Sequence, residues 1–174
     1  LSSASRLFSL NGYEDISINQ VMADAGLTRG AFYSHFKSKS ELHAKAIMSS
    51  ANEISAFFSS TTIDDFIKSY LSKTHKEGEF VRCPLAFMIG DITQRDSEVR
   101  DTYTKVFKGF VNNLVKADAE RNIGDEPENK YSQVTAEALQ KAVLLIGGMT
   151  ISRAINDDRL ADQVLAACQS KILE

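Results

Sequence analysis

An all-α fold is predicted by two features of the sequence taken together. Apolar residues keep a helical spacing from the first segment to the last, and capping residues and glycines punctuate those segments where helices begin and end. The composition, 43% hydrophobic and 25% charged, is that of an ordinary soluble globular protein, and 174 residues are enough to bury a real core in one or two domains. The elements divide into a small N-terminal domain of three helices, residues 1–47, and a larger helical domain, residues 48–174.

The first helix is expected from the start to about Asn11, with Leu1, Ala4, Leu7 and Phe8 on one face. Asn11-Gly12 stops it, because both residues tolerate a left-handed backbone. Ser17-Ile18-Asn19-Gln20 matches a capping box and opens a short helix carrying Ile18, Val21, Met22 and Ala25, which Gly26 ends. Thr28 is placed to cap a third short helix, Arg29 to His35. Ser38-Lys39-Ser40-Glu41 is another capping box, and a fourth helix follows through Leu42, Ala46 and Ile47 towards Ile54. Three short helices with tight glycine-containing turns, then a longer one, fit a helix-turn-helix. Beyond Ser60, one helix is expected from Thr62 to about Lys76 and another from Pro84 through Ile92, proline being acceptable at a helix start. Asp96 or Ser97 opens a long helix through Val115. Gly124-Asp125-Glu126-Pro127 marks a polar break, followed by an apolar helix over roughly 131–156 and a last one over 159–173.

Net charge is -3, but its distribution is uneven. Residues 1–47 hold five basic side chains against four acidic, and between Leu27 and Ser40 stand Arg29, Lys37 and Lys39 with no acid at all. A local basic patch is what a phosphate backbone requires. Within it, Phe32 and Phe36 are four apart and share the face that anchors the third helix inward. Arg29 and Tyr33 are also four apart, on a different face, with Thr28 at the amino end and the small residues Gly30 and Ala31 permitting close approach. A guanidinium there can contact guanine through two hydrogen bonds, and the hydroxyls of Thr28 and Tyr33 can meet phosphate or a base edge. Lys37 and Lys39 beside the next helix start form a phosphate clamp, and Ser17 sets another helix start against the opposite phosphate run.

The stretches Gly12-Tyr13-Glu14-Asp15-Ile16-Ser17-Ile18 and Ala23-Asp24-Ala25-Gly26-Leu27-Thr28-Arg29-Gly30-Ala31-Phe32-Tyr33-Ser34-His35-Phe36-Lys37-Ser38-Lys39-Ser40-Glu41-Leu42 resemble, spacing included, the DNA-binding domain of the TetR/AcrR family over about residues 4–47. The resemblance implies a dimeric one-component regulator, by family default a repressor released from a palindromic operator when a small molecule binds the larger domain. It gives Arg29, Ala31 and Tyr33 a base-reading role and Thr28, His35 and Lys39 backbone contacts, with Lys37 a further member. The basic arm that often precedes the first helix in the family is absent from this sequence. Leu1 stands where a methionine would begin a complete chain, which is consistent with sequence missing upstream.

In the larger domain, Phe66, Tyr70, Phe87, Met88, Tyr103, Phe107 and Phe110 supply apolar area for a small apolar or aromatic effector, with Tyr70, Asp91, Tyr103 and Asn113 as polar points to orient it. Helical spacing alone makes the same residues ordinary core. The last two helices carry more apolar surface than one wet face accounts for. Val143, Gly147, Ile151, Leu160, Val164, Ala167 and Cys168 are therefore expected at a two-fold homodimer interface, and the pair resembles the one that builds the family's four-helix bundle. Cys83, beside Arg82 and a helix start, raises the alternative of a switch by oxidation. Cys83 and Cys168 offer no disulfide framework, so a reducing cytoplasm is expected. No apolar run approaches the length needed to span a bilayer. The sequence contains no HExxH, GxSxG, phosphate loop or cysteine–histidine metal spacing, so no enzyme activity, catalytic residue, cofactor or metal is expected; a helical adaptor is the other class considered.

Overall fold

The computed structural model describes residues 1–79, 82–121 and 134–174; the predicted break at 124–127 and the start of the helix expected from residue 131 lie outside them. Among the described residues the regular elements are helices: α1 (Ser2–Asn11), α2 (Ile18–Asp24), α3 (Arg29–His35), α4 (Lys39–Ser59), α5 (Ile63–Tyr70), α6 (Lys73–Lys76), α7 (Pro84–Phe87), α8 (Ile89–Ile92), α9 (Ser97–Arg121), α10 (Ala136–Ala154) and α11 (Asp158–Leu173). They gather into two compact units. The first comprises Leu1–Ile54 with Arg82–Val106, the second Ser55–Val81 with Phe107–Glu174.

The local signals act largely where the sequence puts them. Gly12 ends α1 with φ 81° and ψ 166°, a region open essentially to glycine alone. At the start of α2 the Gln20 amide donates to Ser17 Oγ at 3.2 Å, and the Ser17 amide donates to Gln20 Oε1 at 2.8 Å, completing the capping box. Gly26, at φ 68°, makes the turn between α2 and α3. Two caps differ from expectation. Thr28 occupies the N-cap of α3 in extended conformation without a capping bond from its side chain. Ser38 Oγ accepts from the Glu41 amide at 2.9 Å, but Glu41 returns its carboxylate to the Lys37 amide at 2.7 Å, one residue upstream of the box.

Two predicted helices are each broken in two. Leu71 leaves helical conformation at ψ 44°, and Ser72 then caps a separate turn by accepting from the His75 amide at 3.2 Å. Met88 interrupts the segment after Pro84 at φ −115°. In the other direction, α4 runs on to Ser59, beyond Ile54.

In the first unit Ala4, Phe8, Val21, Met22, Phe32, Leu42 and Ile47 are buried, as are Leu85, Met88, Ile92 and Val99. His43 is fully buried, its ring 4.9 Å from those of both Phe8 and Tyr13. Neither ring nitrogen has a hydrogen-bond partner among the described residues. Burial pushes its pKa down from 6.5 to about 4, so the side chain stays neutral.

The second unit holds an aromatic cluster in which the Phe66 ring lies 4.5 Å from Phe58, 5.6 Å from Tyr70 and 6.2 Å from Phe110. Helices α10 and α11 pack through Ala138, Ala142, Leu145, Met149, Ala161 and Leu165. Their approach depends on Gly148: a Cβ there would sit 2.9 Å from Cys168 Sγ and 3.3 Å from Leu71 Cδ2.

Candidate nucleic-acid interface

Helix α3 is divided as the sequence requires. Phe32 is buried and stacks on Phe36 at 5.6 Å, with Tyr33 edge-on to it at 5.1 Å. That anchoring turns the opposite side outward: Thr28, Arg29, Gly30, Tyr33 and His35 are exposed, Tyr33 by 60%, and Ala31 is half-buried. With no capping bond to hold it, the Thr28 hydroxyl is available to a ligand. A side chain at Gly30 would meet only Thr28 Oγ1 within 4 Å, so this face is low in bulk as well as polar. Leu27, in the preceding turn, is 51% exposed beside Thr28 and suits apolar contact with a thymine methyl. No role was expected for Leu27 from the sequence, although its position immediately before the polar face was a signal.

Electrostatics favour an anion at this face. Arg6 pairs with Asp24, and Lys45 with Glu41 at 2.8 Å, so those two acids of the head are neutralised. Both carboxyls are held below their ordinary range chiefly by hydrogen bonds from those partners. Arg29 and the exposed Lys37 form no ion pair among the described residues. Ser17 is exposed at the start of α2.

Lys39 is placed differently from a free surface lysine. It is half-buried, its ammonium donates to the Tyr13 carbonyl, and it lies 4.0 Å from the centre of the Tyr13 ring. Burial pulls its pKa below the usual lysine value, with Glu14 opposing. No spacing in the sequence pointed to this contact, made across 26 residues.

The residues expected around an effector fall into both units. In the first, Phe87 and Met88 are buried, and the half-buried Tyr103 donates its hydroxyl to the Leu85 carbonyl at 2.9 Å. Burial also pushes the Tyr103 phenol above its ordinary range. Asp91 there accepts the Tyr13 amide at 2.9 Å. In the second, Phe66, Tyr70 and Phe110 belong to the aromatic cluster, Phe107 is half-buried, and Asn113 donates to Ser55 Oγ at 3.3 Å. A separate surface cleft of about 420 Å³ in the second unit is lined by Asp118, Lys141, Lys171 and Glu174, charges already paired with one another, with Lys141 2.6 Å from Asp118.

Of the expected dimer residues, Val143, Ile151, Leu160 and Ala167 are exposed and Gly147, Val164 and Cys168 half-buried. Val143 and Ile151, at 62% and 53%, are unusually open for such apolar side chains. The two glycines separate in role: Gly147 faces open space, whereas Gly148 accommodates Cys168 within the same chain. Cys83 forms no disulfide and is buried, 1% exposed. Among the described residues no His/Cys/Asp/Glu group is arranged to hold a metal, and no helix is long and apolar enough to cross a membrane.

Residues 1–46 match the family described as bacterial regulatory proteins, tetR family. Over 155 residues, 83% of this chain and 81% of the relative, the sequence is 22% identical to the HTH-type transcriptional regulator YxaF of Bacillus subtilis. Across 45 residues, 26% of this chain and 21% of the relative, it is 47% identical to the HTH-type transcriptional regulator AcrR of Shigella flexneri. The fold is similar to that of a TetR-family transcriptional regulator from Cytophaga hutchinsonii, with a TM-score of 0.77 at 19% identity over 99% of this chain and 90% of that one.

Proposed function

We propose that this chain, whose residues 1–46 match the tetR family of bacterial regulatory proteins, is a transcription repressor that binds a palindromic operator as a homodimer and leaves it when a small apolar or aromatic molecule binds. The observation that carries the DNA-reading part is α3: buried Phe32, with half-buried Phe36 stacked on it, holds one side, and Arg29 and Tyr33 are exposed on the other within the family match. Residues 1–47 are the reading head in this account and residues 48–174 the effector and dimerisation domain. Arg29, Ala31 and Tyr33 read base edges. Thr28, His35, Lys37, Lys39 and Ser17 meet the phosphate backbone.

A single short helix covers only a few base pairs, so sequence specificity over an operator calls for two heads about one helical turn apart. The exposed apolar side chains Val143, Ile151 and Leu160 support α10 and α11 as the surface that pairs them. The aromatic residues of the larger domain support an apolar or aromatic effector over an anionic one. Phe66, Tyr70 and Phe110 already touch one another or a common ring, so an effector entering there must displace part of the cluster. Release follows only if the effector binds the DNA-incompetent arrangement more tightly than the competent one. The buried Cys83 gives oxidation no comparable support.

The test is selection of bound duplexes from a random pool, then a screen for small molecules that release the selected site. A palindromic consensus and release by apolar or aromatic compounds are expected. Failure to enrich any duplex at low salt refutes the DNA-reading assignment; release by hydrophilic anions alone refutes the effector class.

A further inference from the structure

The segment from Asp91 to Asp96 lies far along the chain from the reading head yet grips it at several points within the first unit. Asp91 Oδ2 accepts the Tyr13 amide at 2.9 Å. The approach is close enough that a Cβ on Gly12 would stand 3.3 Å from the same oxygen. Arg95 is fixed in three ways: its Nη1 is 2.6 Å from Glu14 Oε1, its Nε donates to the Asp91 carbonyl at 3.2 Å, and its guanidinium carbon lies 4.3 Å from the centre of the Tyr13 ring. Its side chain is only 11% exposed. Asp96 accepts from the Ser40 hydroxyl in the first turn of α4, while its other oxygen takes the Val99 amide at 3.1 Å and so caps α9.

Tyr13 is where these contacts converge with Lys39. Its carbonyl accepts one of the three donors of the ammonium, and its ring carries that ammonium and the Arg95 guanidinium together. Two cations on one ring repel each other. Glu14, paired with Arg95, and the nearby Asp91 offset that repulsion. We propose that Arg95 and Asp91 are positioning residues for DNA binding, acting through Tyr13 to hold the Lys39 ammonium in place with two donors left for a phosphate. A lysine pinned in this way has given up its rotamer freedom before DNA arrives, and a free one surrenders it on binding. This extends the DNA-reading proposal and rests on it.

The experiment is a double-mutant cycle on the full chain. Binding to the selected duplex is measured for R95A, K39A and the double variant, at fixed salt and along a salt series. R95A should weaken binding roughly threefold to thirtyfold, the range set by a lysine's rotamer entropy. The same change in the K39A background should have little effect, because the residue through which Arg95 acts is gone. R95K retains the charge without the fork and should also lose affinity; D91N keeps an acceptor for the Tyr13 amide but not the charge and should lose less affinity than D91A. A reading independent of DNA is the rate at which an amine-acylating reagent labels Lys39, measured by mass spectrometry against Lys37 as internal standard. Lys39 should label slowly in the wild type and faster in R95A, the access gained on release from Tyr13 outweighing the smaller free-amine fraction left when the neighbouring guanidinium is removed. Additive effects of R95A and K39A, full binding by R95K, or unchanged labelling of Lys39 in R95A would each overturn the assignment. Wild-type protein that binds no duplex, while Lys39 labelling still responds to R95A, would sink the DNA-reading proposal and leave the Arg95–Tyr13–Lys39 latch standing.

Discussion

Burying a neutral histidine with no hydrogen-bond partner among the described residues makes the stability of the head sensitive to acid between pH 6.5 and about 4. His43 has a folded-state pKa of about 4 against 6.5 unperturbed. Its contribution is fully present above pH 6.5. As the pH falls from there towards 4, the unfolded chain takes up the proton and the folded one does not, so stability drops. Each unit is worth about 1.4 kcal/mol, and the whole interval about 3 kcal/mol. That is a large fraction of the roughly 5–15 kcal/mol that holds a domain folded. Asp24, Glu41 and Asp96 are also held below their ordinary values, by hydrogen bonds from Arg6, Lys45 and Ser40. The stability they add is lost only as the pH falls below ordinary carboxylate values. At neutral pH, His43→Leu removes two unsatisfied nitrogens, each worth about 1–3 kcal/mol, and forfeits ring contacts with Phe8 and Tyr13 worth about 0.5–1.5 kcal/mol apiece. About 2–6 kcal/mol is thus removed in penalties against about 1–3 lost in contacts, so the variant is expected to be the more stable at pH 7, and the diagnostic quantity is the difference in slope. Urea unfolding of both proteins from pH 8 to 4.5, at one protomer concentration, should show the wild type losing about 1.4 kcal/mol more per unit than the variant below pH 6. Parallel curves through that range would refute the reasoning, as would a direct titration placing His43 near 6.5.

Neighbouring glycines in α10 should respond with opposite sign. Gly147→Ala gains about 1 kcal/mol of helix propensity in open space, whereas Gly148→Ala meets Cys168 and Leu71 and loses about 1–2 kcal/mol net, recovered in part by adding Cys168→Ala; equal stabilisation of both in thermal unfolding would contradict the packing. Replacing the exposed Val143 and Ile151 together with Asp and Glu should raise the dimer dissociation constant at least roughly tenfold, since each apolar side chain contributes about 1.5–3 kcal/mol when fully buried; sedimentation showing an unchanged dimer would exclude this face. Arg29→Ala should cost about 1–3 kcal/mol and relax one base position across a panel of operator variants, with a uniform loss at all sites arguing for a phosphate contact instead.

What the sequence determined by itself was local. The capping box at Ser17, the glycine turns at Gly12 and Gly26, and the inward pairing of Phe32 with Phe36 depend on residues a few positions apart, so spacing alone exposed the three helices and the face carrying Arg29 and Tyr33. The breaks at Leu71 and Met88 escaped notice because the apolar period continues through both, and only the backbone departs from regular helix, at ψ 44° in the first and φ −115° in the second. Everything that ties Lys39 down was equally hidden. Its carbonyl partner is 26 residues away, and the aspartate that holds the same loop is 78 residues from Tyr13. Asp91 read as a polar point for a ligand, and the tertiary structure spends it on a backbone amide of the head. Gly147 and Gly148 look identical in a string, yet one faces open space and the other receives Cys168. The physical reason is common to all of these: caps and turns are settled by the backbone of one segment, whereas the partner of a charge or the need for a missing side chain is settled by whichever distant segment packs against it.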